Sequence, residues 1–269
     1  MADKTRIDWA DATWNPVTGC LHGCPYCYAR EMANRFKGVR DSETPPDADG
    51  KPKVLYAPCW KRTKAGKRAD APYPYGFDPT FHCYRLDIPV RWQRPRNIFV
   101  CSMADLFGAW VPDEWIEEVF NVCRKAPQHR YLFLTKAPER FKELVENGVK
   151  FPDNCWLGTS VTRSKDAEGN GGMLDKLTDT WNVPGVRWFA SIEPMLEKLS
   201  FQAIENLAVL DWVIIGAETG IRKNKVIPEK SWIDRIARRL RYYHVPFFMK
   251  ESVRDLMGAD FRQEYPWEA

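Results

Sequence analysis

The sequence predicts an α/β protein, a partial (βα)6 barrel, and three observations support this prediction. After residue 96, short apolar segments alternate with amphipathic segments, as in βαβ units whose parallel sheet is covered by helices. Polar residues follow nearly every predicted strand, and the carboxyl ends of parallel strands form the active sites of such folds. A length of 269 residues is typical of one α/β barrel. We therefore expect a single barrel domain over residues 1–269.

The predicted strands are short segments rich in apolar, β-branched and aromatic residues, such as NIFVCSM, RYLFLT and DWVIIGA. Segments of this length and composition are typical of buried strands. Six main strands and one late strand are predicted at residues 13–18, 97–103, 130–135, 155–161, 186–192, 211–217 and 245–250.

Amphipathic helices are predicted between these strands. Pro112 begins one of them, because proline favours the first position of a helix. Its apolar face consists of Trp115, Ile116, Val119 and Phe120. The next helix begins near Pro138 and carries Phe141, Leu144 and Val145 on its apolar side. Further helices are predicted from about residue 28 and at about residues 173–178, 201–207 and 228–243.

The composition excludes disordered and membrane-spanning chains. The sequence has 12 Trp, 10 Tyr and 14 Phe residues, far more apolar area than disordered chains carry. No apolar segment approaches the roughly 18 residues that a membrane helix needs. The N-terminus lacks the apolar core of a secretory signal, so we expect a cytoplasmic protein that has no membrane partner.

The positive charge is concentrated in residues 37–96, which we expect to be a Pro-rich insertion after the first βα unit. This segment has 13 Lys and Arg residues against 7 Asp and Glu residues, a net charge of +6. The rest of the chain carries −2 of the total of +4. The segment also has 9 of the 20 prolines. A polyanionic partner would therefore bind here rather than elsewhere on the chain.

Three of the eight cysteines lie within eight residues, Cys20-Leu-His-Gly-Cys24-Pro-Tyr-Cys27. Without an export signal we expect reduced thiols that bind a metal or act in catalysis. Gly19, Gly23 and Pro25 indicate a loop.

Two kinds of metal site fit this spacing. A structural zinc ion needs four ligands, usually as two pairs, and His22 or Cys59 would have to complete the set. Alternatively, three thiolates of one short loop can bind three irons of an iron–sulfur cubane. The fourth iron then stays open for an exogenous ligand, as a catalytic site requires. Cys59 and Cys83 are a weaker candidate for a second metal site, since their spacing is irregular.

The motif C-x3-C-x-(aromatic)-C after a first strand resembles that of the radical S-adenosylmethionine (SAM) superfamily. The resemblance implies a [4Fe-4S] cluster on Cys20, Cys24 and Cys27, with Tyr26 beside the adenine of SAM. It also implies that the cluster cleaves SAM and generates a 5′-deoxyadenosyl radical, which abstracts a hydrogen atom from the substrate. An electron donor such as a flavodoxin or ferredoxin would be a partner. The cofactor carries out this chemistry, while the protein positions it and excludes water.

Further strings extend the resemblance over about the whole chain: TWNPVTGC, CPYCYAR, FVCSMADLFG, FLTKAPER, SIEPM and DWVIIGAETG. In this order they resemble a phage- and prophage-associated family of radical SAM-like proteins, which is more distantly similar to spore photoproduct lyase and its DNA-repair relatives.

The resemblance also implies residues that bind SAM. Many members of the superfamily have Gly-Gly-Glu after the second strand, where this chain has Ser102-Met103-Ala104-Asp105. Ser102 and Asp105 are therefore the expected substitutes. Other contacts are expected from their positions after later strands. Ser160 is expected to contact the ribose, and Glu193 and the backbone of Gly216 and Glu218 are expected to contact the ribose or adenine. Lys136 is expected to bind the SAM carboxylate or a substrate phosphate.

A nucleic-acid substrate is predicted from the basic segment. Five positive charges fall within eight residues, and aromatic residues are spread around them, an arrangement typical of a surface for phosphates and stacked bases. The predicted nucleic-acid-binding residues are Lys61, Arg62, Lys64, Lys67 and Arg68. A solvated basic surface is the alternative, because a net charge of +4 is small for a nucleic-acid-binding protein.

We therefore expect a radical SAM enzyme that modifies or repairs nucleic acid or a nucleotide. One alternative is the same chemistry on a small molecule or peptide. The other is a non-catalytic nucleic-acid-binding protein that is stabilised by zinc or a cluster.

Overall fold

A computed structural model describes residues 5–38, 53–63, 65–168, 185–220 and 222–268, which form two units. The first unit comprises Met1–Thr5 and Ala10–Tyr131, and the second comprises Arg6–Trp9 and Leu132–Ala269. The predicted helix at residues 173–178 lies outside the described residues.

The first unit is organised around two parallel strands and a helix. Strand β1 (Ala12–Trp14) pairs in parallel with β7 (Asn97–Val100), with Ala12 opposite Ile98 and Trp14 opposite Val100. Helix α1 (Tyr28–Phe36) follows the cysteine loop and buries Ala29 and Ala33, four positions apart on one face. The parallel βα order predicted for the start of the chain is therefore confirmed.

The prediction of one continuous strand at residues 13–18 is wrong. The chain leaves β1 at Trp14, and β2 (Val17–Thr18) joins another sheet. There β2 pairs antiparallel with β6 (Thr80–His82), which pairs in parallel with β3 (Lys53–Leu55). Pro16 separates the two strands because it has no N–H for the ladder. Its carbonyl instead accepts from the His82 N–H at 2.7 Å.

The described part of residues 37–96 also has a β-hairpin, β4 (Trp60–Arg62) paired antiparallel with β5 (Arg68–Asp70). Helix α2 (Asp113–Lys125) closes the first unit and begins one residue after Pro112. Acidic residues lie in its first turn and basic residues in its last turn, where they complement the helix dipole. Its predicted apolar face is confirmed, since all four of its residues are buried.

The second unit repeats strand and helix along the chain. Its elements are β8 (Arg130–Thr135), which begins two residues before the unit boundary, α3 (Glu139–Glu146), β9 (Cys155–Ser160), β10 (Arg187–Ile192), α4 (Phe201–Leu207), β11 (Trp212–Ile215), α5 (Lys230–Tyr242), β12 (Phe247–Met249) and α6 (Arg254–Met257). Strands β9 to β12 pair in parallel in the order of the chain. The α/β class with parallel strands is confirmed. Closure into a partial (βα)6 barrel of the radical SAM type, the insertion and the single domain stay predictions.

Aromatic rings fill the core of the second unit. Trp9 lies 6.4 Å from Phe189 and 6.3 Å from Trp212, measured between ring centroids. A Cβ on Gly158 would lie 2.5 Å from the Phe189 ring, so only glycine fits at this position of β9. Val145, expected on the apolar face of α3, is instead 39% exposed.

Within the described ranges, no helix combines the length and the apolarity that crossing a membrane requires.

A buried histidine is expected to make the stability of the β2–β6–β3 sheet depend on pH. His82 is fully buried, with Nε2 2.8 Å from Thr18 Oγ1 and Nδ1 3.3 Å from Tyr84 Oη. Burial, together with the charge of Arg85, lowers the pKa of His82 to about 2. The Arg85 guanidinium donates to the backbone carbonyls of Asn15 and Pro72, which holds it beside the imidazole.

We expect His82 to weaken the fold in acid. The imidazole stays neutral in the folded state, whereas in the unfolded chain it binds a proton below pH ~6.5. The free energy of unfolding should therefore fall by about 1 kcal/mol more between about pH 6 and pH 5 in wild type than in His82→Gln. Urea unfolding at the two pH values measures this difference. Equal pH dependence of both proteins would contradict it.

Candidate functional site

The three clustered cysteines lie in a loop between β2 and α1. Cys20, Cys24 and Cys27 are half-buried and form no disulfide. The backbone of Gly19 and Gly23 has φ values of +89° and +71°, a left-handed conformation that favours glycine. The two glycines turn the chain so that a short segment carries three thiols.

Cys27 caps the helix that follows the loop. Its Sγ accepts a hydrogen bond from the Arg30 backbone N–H at 3.4 Å, and its own N–H donates to the Cys24 carbonyl at 3.3 Å. The N-terminus of a helix carries partial positive charge. The sequence therefore places one candidate ligand at the start of a helix, beside a backbone N–H donor.

Cys20 lies close enough to the other two cysteines to be affected by their charges. Burial, together with the negative charges of Asp105, Cys27 and Cys24, raises the pKa of Cys20 to about 11, although a hydrogen bond from the His22 backbone lowers it in part. Without a cation Cys20 therefore keeps its proton at neutral pH. A bound metal would remove this proton, because thiols bind metals as thiolates.

The donor set of the loop consists of three thiols. Each thiolate of a cubane binds a different iron, so its three sulfurs need not converge on one point as the ligands of zinc do. The three thiols are therefore donors of the kind that an iron–sulfur cluster takes. Across the described ranges, no three His, Cys, Asp or Glu side chains are arranged to hold a metal ion. Cys59 and Cys83 are likewise not grouped with a third such side chain among the described residues.

The cysteine loop is hydrogen-bonded to the turn that follows β7. The Gly19 N–H donates to the Met103 carbonyl at 2.9 Å, and the Tyr28 hydroxyl donates to the Ser102 carbonyl at 2.8 Å. Asn15 Oδ1 accepts from the Ser102 hydroxyl at 3.2 Å and from the Met103 N–H at 3.0 Å. Ser102, a predicted SAM ligand, therefore lies on the segment against which the cysteines are held.

His22 and Asp105 form a pair that sequence reasoning missed. His22 Nε2 lies 2.7 Å from Asp105 Oδ2, and the Phe107 N–H donates to Asp105 Oδ1 at 3.1 Å. Asp105 is buried, and the His22 ring packs edge-on against Trp110 at 4.9 Å between centroids. His22 thus positions the middle of the cysteine loop. The carboxylate of Asp105 thus already has two partners in the protein, His22 and the Phe107 N–H. Its role toward SAM stays a prediction.

Glu193 and Gly216, predicted to bind SAM, meet in the second unit. Lys250, which the sequence did not indicate, forms an ion pair with Glu193, and its Nζ lies 3.9 Å from Asp8 Oδ1. A Cβ on Gly216 would lie 2.9 Å from Lys250 Cδ and 3.4 Å from Glu193 Cγ. A side chain at residue 216 would therefore displace the Lys250 side chain from its present position.

The other predicted residues of the second unit lie near strand ends. Glu218 is bound by Arg222 through two hydrogen bonds of 2.5 Å, and this pairing lowers the pKa of its carboxyl. Ser160 ends β9, is buried and lies opposite Ser191 in the register with β10. Lys136 is half-buried directly after β8. Their roles toward SAM stay predictions.

Four of the five predicted nucleic-acid-binding residues, Lys61, Arg62, Lys67 and Arg68, lie in or beside the β4–β5 hairpin, and Lys64 lies outside the described residues. The guanidinium carbons of Arg68 and Arg62 lie 4.7 and 5.8 Å from the Trp60 ring centroid. Lys61 Nζ donates to the Phe36 carbonyl at 3.0 Å, which links the hairpin to the end of α1.

We expect Gly19→Ala to destabilise the protein more than Gly220→Ala. Both glycines have left-handed backbone, with φ values of +89° and +91°. A Cβ at Gly19 would lie 2.2 Å from the Asp78 carbonyl oxygen, whereas Gly220 has no heavy atom within 4 Å of that position. Overpacking should therefore cost Gly19→Ala an additional 1–3 kcal/mol or so. Urea unfolding measures both variants, and equal losses would show that the contact is unimportant.

Three solved structures of spore photoproduct lyase are similar to this chain. A cysteine-to-serine mutant is 12% identical, with a TM-score of 0.49 over 93% of this chain and 81% of that chain. A double mutant with bound AdoMet and dinucleoside spore photoproduct is 10% identical, with a TM-score of 0.49 over 94% of this chain and 77% of that chain. A complex with dinucleoside spore photoproduct is 11% identical, with a TM-score of 0.49 over 87% of this chain and 75% of that chain.

Comparison with curated proteins gives no match. A family model described as "Protein of unknown function (DUF5131)" matches residues 4–255, which is most of the chain. The chain therefore belongs to the DUF5131 family.

Proposed function

We propose that this protein is a radical SAM enzyme that modifies or repairs nucleic acid or a nucleotide. The observation that carries the proposal is the loop of three thiols, free of disulfides, that lies between β2 and α1 and is hydrogen-bonded to the turn after β7. A [4Fe-4S] cluster held by Cys20, Cys24 and Cys27 would, when reduced, supply the electron that cleaves SAM to methionine and a 5′-deoxyadenosyl radical, and this radical would take a hydrogen atom from the substrate.

The cysteines would hold three irons and leave the fourth iron for SAM. Cys27 presents its sulfur at the N-terminus of α1, where negative charge is stabilised. Hydrogen bonds from Gly19 and Tyr28 hold the two ends of the loop, and the contact of His22 with Asp105 holds its middle. The loop is thus fixed at three points, which preorganises its thiols.

The residues proposed to bind SAM are Tyr26, Ser102, Asp105, Ser160, Glu193, Gly216 and Glu218, with Lys136 at the SAM carboxylate or a substrate phosphate. One structural feature supports this set: the ion pair of Glu193 with Lys250 holds the Glu193 carboxylate in place.

We expect iron to bind only when the three clustered cysteines are intact. Anaerobic reconstitution should give a brown protein with about four irons per chain, bleached by dithionite. Cys20→Ala, Cys24→Ala and Cys27→Ala should each lose most of this iron. Cys83→Ala is the matched control, because Cys83 is also half-buried and lies in the same unit, and it should keep its iron.

The same preparations decide between an iron–sulfur cluster and zinc. Release of 5′-deoxyadenosine from SAM by the reduced protein supports the enzyme. A colourless protein that holds stoichiometric zinc after reconstitution would overturn the proposal in favour of a zinc-stabilised binding protein.

We expect the substrate to be found among nucleic acids. Anaerobic incubation of the reconstituted protein with SAM, dithionite and DNA or RNA, followed by nucleoside mass spectrometry, should show an altered nucleoside. The change should require SAM and be absent with Cys20→Ala. Formation of 5′-deoxyadenosine without any altered nucleoside would contradict the nucleic-acid part of the proposal and favour a small-molecule or peptide substrate.

A further inference from the structure

A cleft of about 590 Å³ lies beside the cysteine loop in the first unit. One wall is the cysteine loop with Cys20, Leu21 and Gly23, and another is α1 and the residues directly after it. The third wall is the segment 74–78. Its volume is within the range of small-molecule sites, roughly 300–1,000 Å³, so the cleft can hold a group as large as a nucleotide.

The charged side chains of the cleft favour an anion. Arg30 and Lys37 carry the positive charges, and Asp78 carries the negative charge. Lys53 Nζ lies 2.5 Å from Asp78 Oδ2 and neutralises this carboxylate. Arg30 Nε is buried and has no hydrogen-bond partner among the described residues, while Nη2 reaches the Cys20 carbonyl at 3.5 Å. The cleft therefore carries net positive charge and a half-buried guanidinium whose donors are incompletely used.

Aromatic rings line the same cleft. Tyr75 and Phe77 belong to the third wall, and both are half-buried. Lys53 Nζ lies 4.5 Å from the Tyr75 ring centroid, and the Arg30 guanidinium carbon lies 5.3 Å from the Phe77 ring centroid. Aromatic rings next to cations are typical of surfaces that stack nucleobases and bind phosphates.

The cleft is joined to the β4–β5 hairpin by hydrogen bonds of the backbone and side chains. Lys61 of the hairpin donates to the Phe36 carbonyl, one residue before Lys37 in the cleft wall. The Gly38 N–H donates to the Tyr73 carbonyl at 3.2 Å, and Lys37 forms a β-bridge with Tyr73. The hairpin that carries the cations around Trp60 is thus hydrogen-bonded to the end of α1, next to Lys37 of the cleft wall.

We propose that this cleft binds one nucleotide of a single-stranded nucleic acid, with a phosphate at Arg30 and Lys37 and the base against Tyr75. The adjoining nucleotides lie on the β4–β5 hairpin. The proposal deepens the proposed function, on which it rests, by naming where the substrate strand binds and by placing one nucleotide beside the cysteine loop. An acidic protein would match the charge as well, but it has no planar bases for the aromatic rings of the cleft and hairpin.

The test is fluorescence anisotropy of a short fluorescein-labelled oligothymidylate with the reconstituted protein at several salt concentrations. Lys37→Ala should weaken binding and reduce the slope of log K against log salt by about 0.7, as expected for one phosphate of a single strand. The matched control is Lys125→Ala, an exposed lysine at the end of α2 in the same unit, which should leave affinity and slope unchanged.

Tyr75→Leu should weaken binding by about fivefold or more with little change of the salt slope, because a stacked base is lost but no phosphate contact is lost. Tyr75→Phe should retain the affinity of wild type, since it retains the ring. Melting temperatures of all variants show whether they are folded.

Two results would overturn the proposal. One is that Lys37→Ala and Tyr75→Leu, both folded, bind the oligonucleotide as Lys125→Ala does. The other is that polyaspartate binds as tightly and with the same dependence on Tyr75, as an acidic protein partner would. Iron is measured in the same samples, so loss of the cluster and loss of cleft binding are separate results. Binding that depends on Lys37 in a protein without iron would support the cleft while the proposed function fails.

Discussion

The close approach of Gly19 to the backbone of Asp78 is the constraint on which the rest of the first unit depends. A side chain at Gly19 would overlap the Asp78 carbonyl, so the two segments can approach this closely only where a glycine stands. On its other side Gly19 donates to Met103, which ties the same residue to the turn after β7. One position without a side chain therefore brings together the cysteine loop, the turn of Ser102 and the wall of the cleft.

Electrostatics at the cysteine loop act differently on Cys20 and Cys27. Burial and neighbouring negative groups raise the pKa of Cys20, while the Arg30 N–H donates to the sulfur of Cys27 at the start of α1. A bound cluster would take all three thiols as thiolates, and its positively charged core would compensate their mutual repulsion. Asp105, whose charge contributes to the raised pKa of Cys20, is itself held by His22 and by the Phe107 N–H.

Local sequence patterns predicted the elements well, because apolar periodicity is a property of each segment by itself. The strand at Arg130–Thr135 and the helix at Phe201–Leu207 were predicted to the residue. The break after Trp14 was missed, because residues 13–18 have the local pattern of one strand. The break depends on a distant residue, His82, whose N–H donates to the Pro16 carbonyl. Contacts between distant residues, such as Lys250 with Glu193, have no signal in local sequence, whereas the cysteine spacing has one.

Some basic residues of the segment 37–96 are bound within the protein, so the number of positive charges overstates the charge that is available to a ligand. Arg85 is buried and donates to backbone carbonyls, where it fixes the fold rather than a ligand. Lys53 neutralises Asp78, and without this ion pair Arg30 and Lys37 would face a carboxylate in their own cleft. Lys53 thereby supports the proposed phosphate site indirectly, by neutralising Asp78. The proposed binding of a phosphate therefore depends on how the charges of this segment are paired and not only on their number.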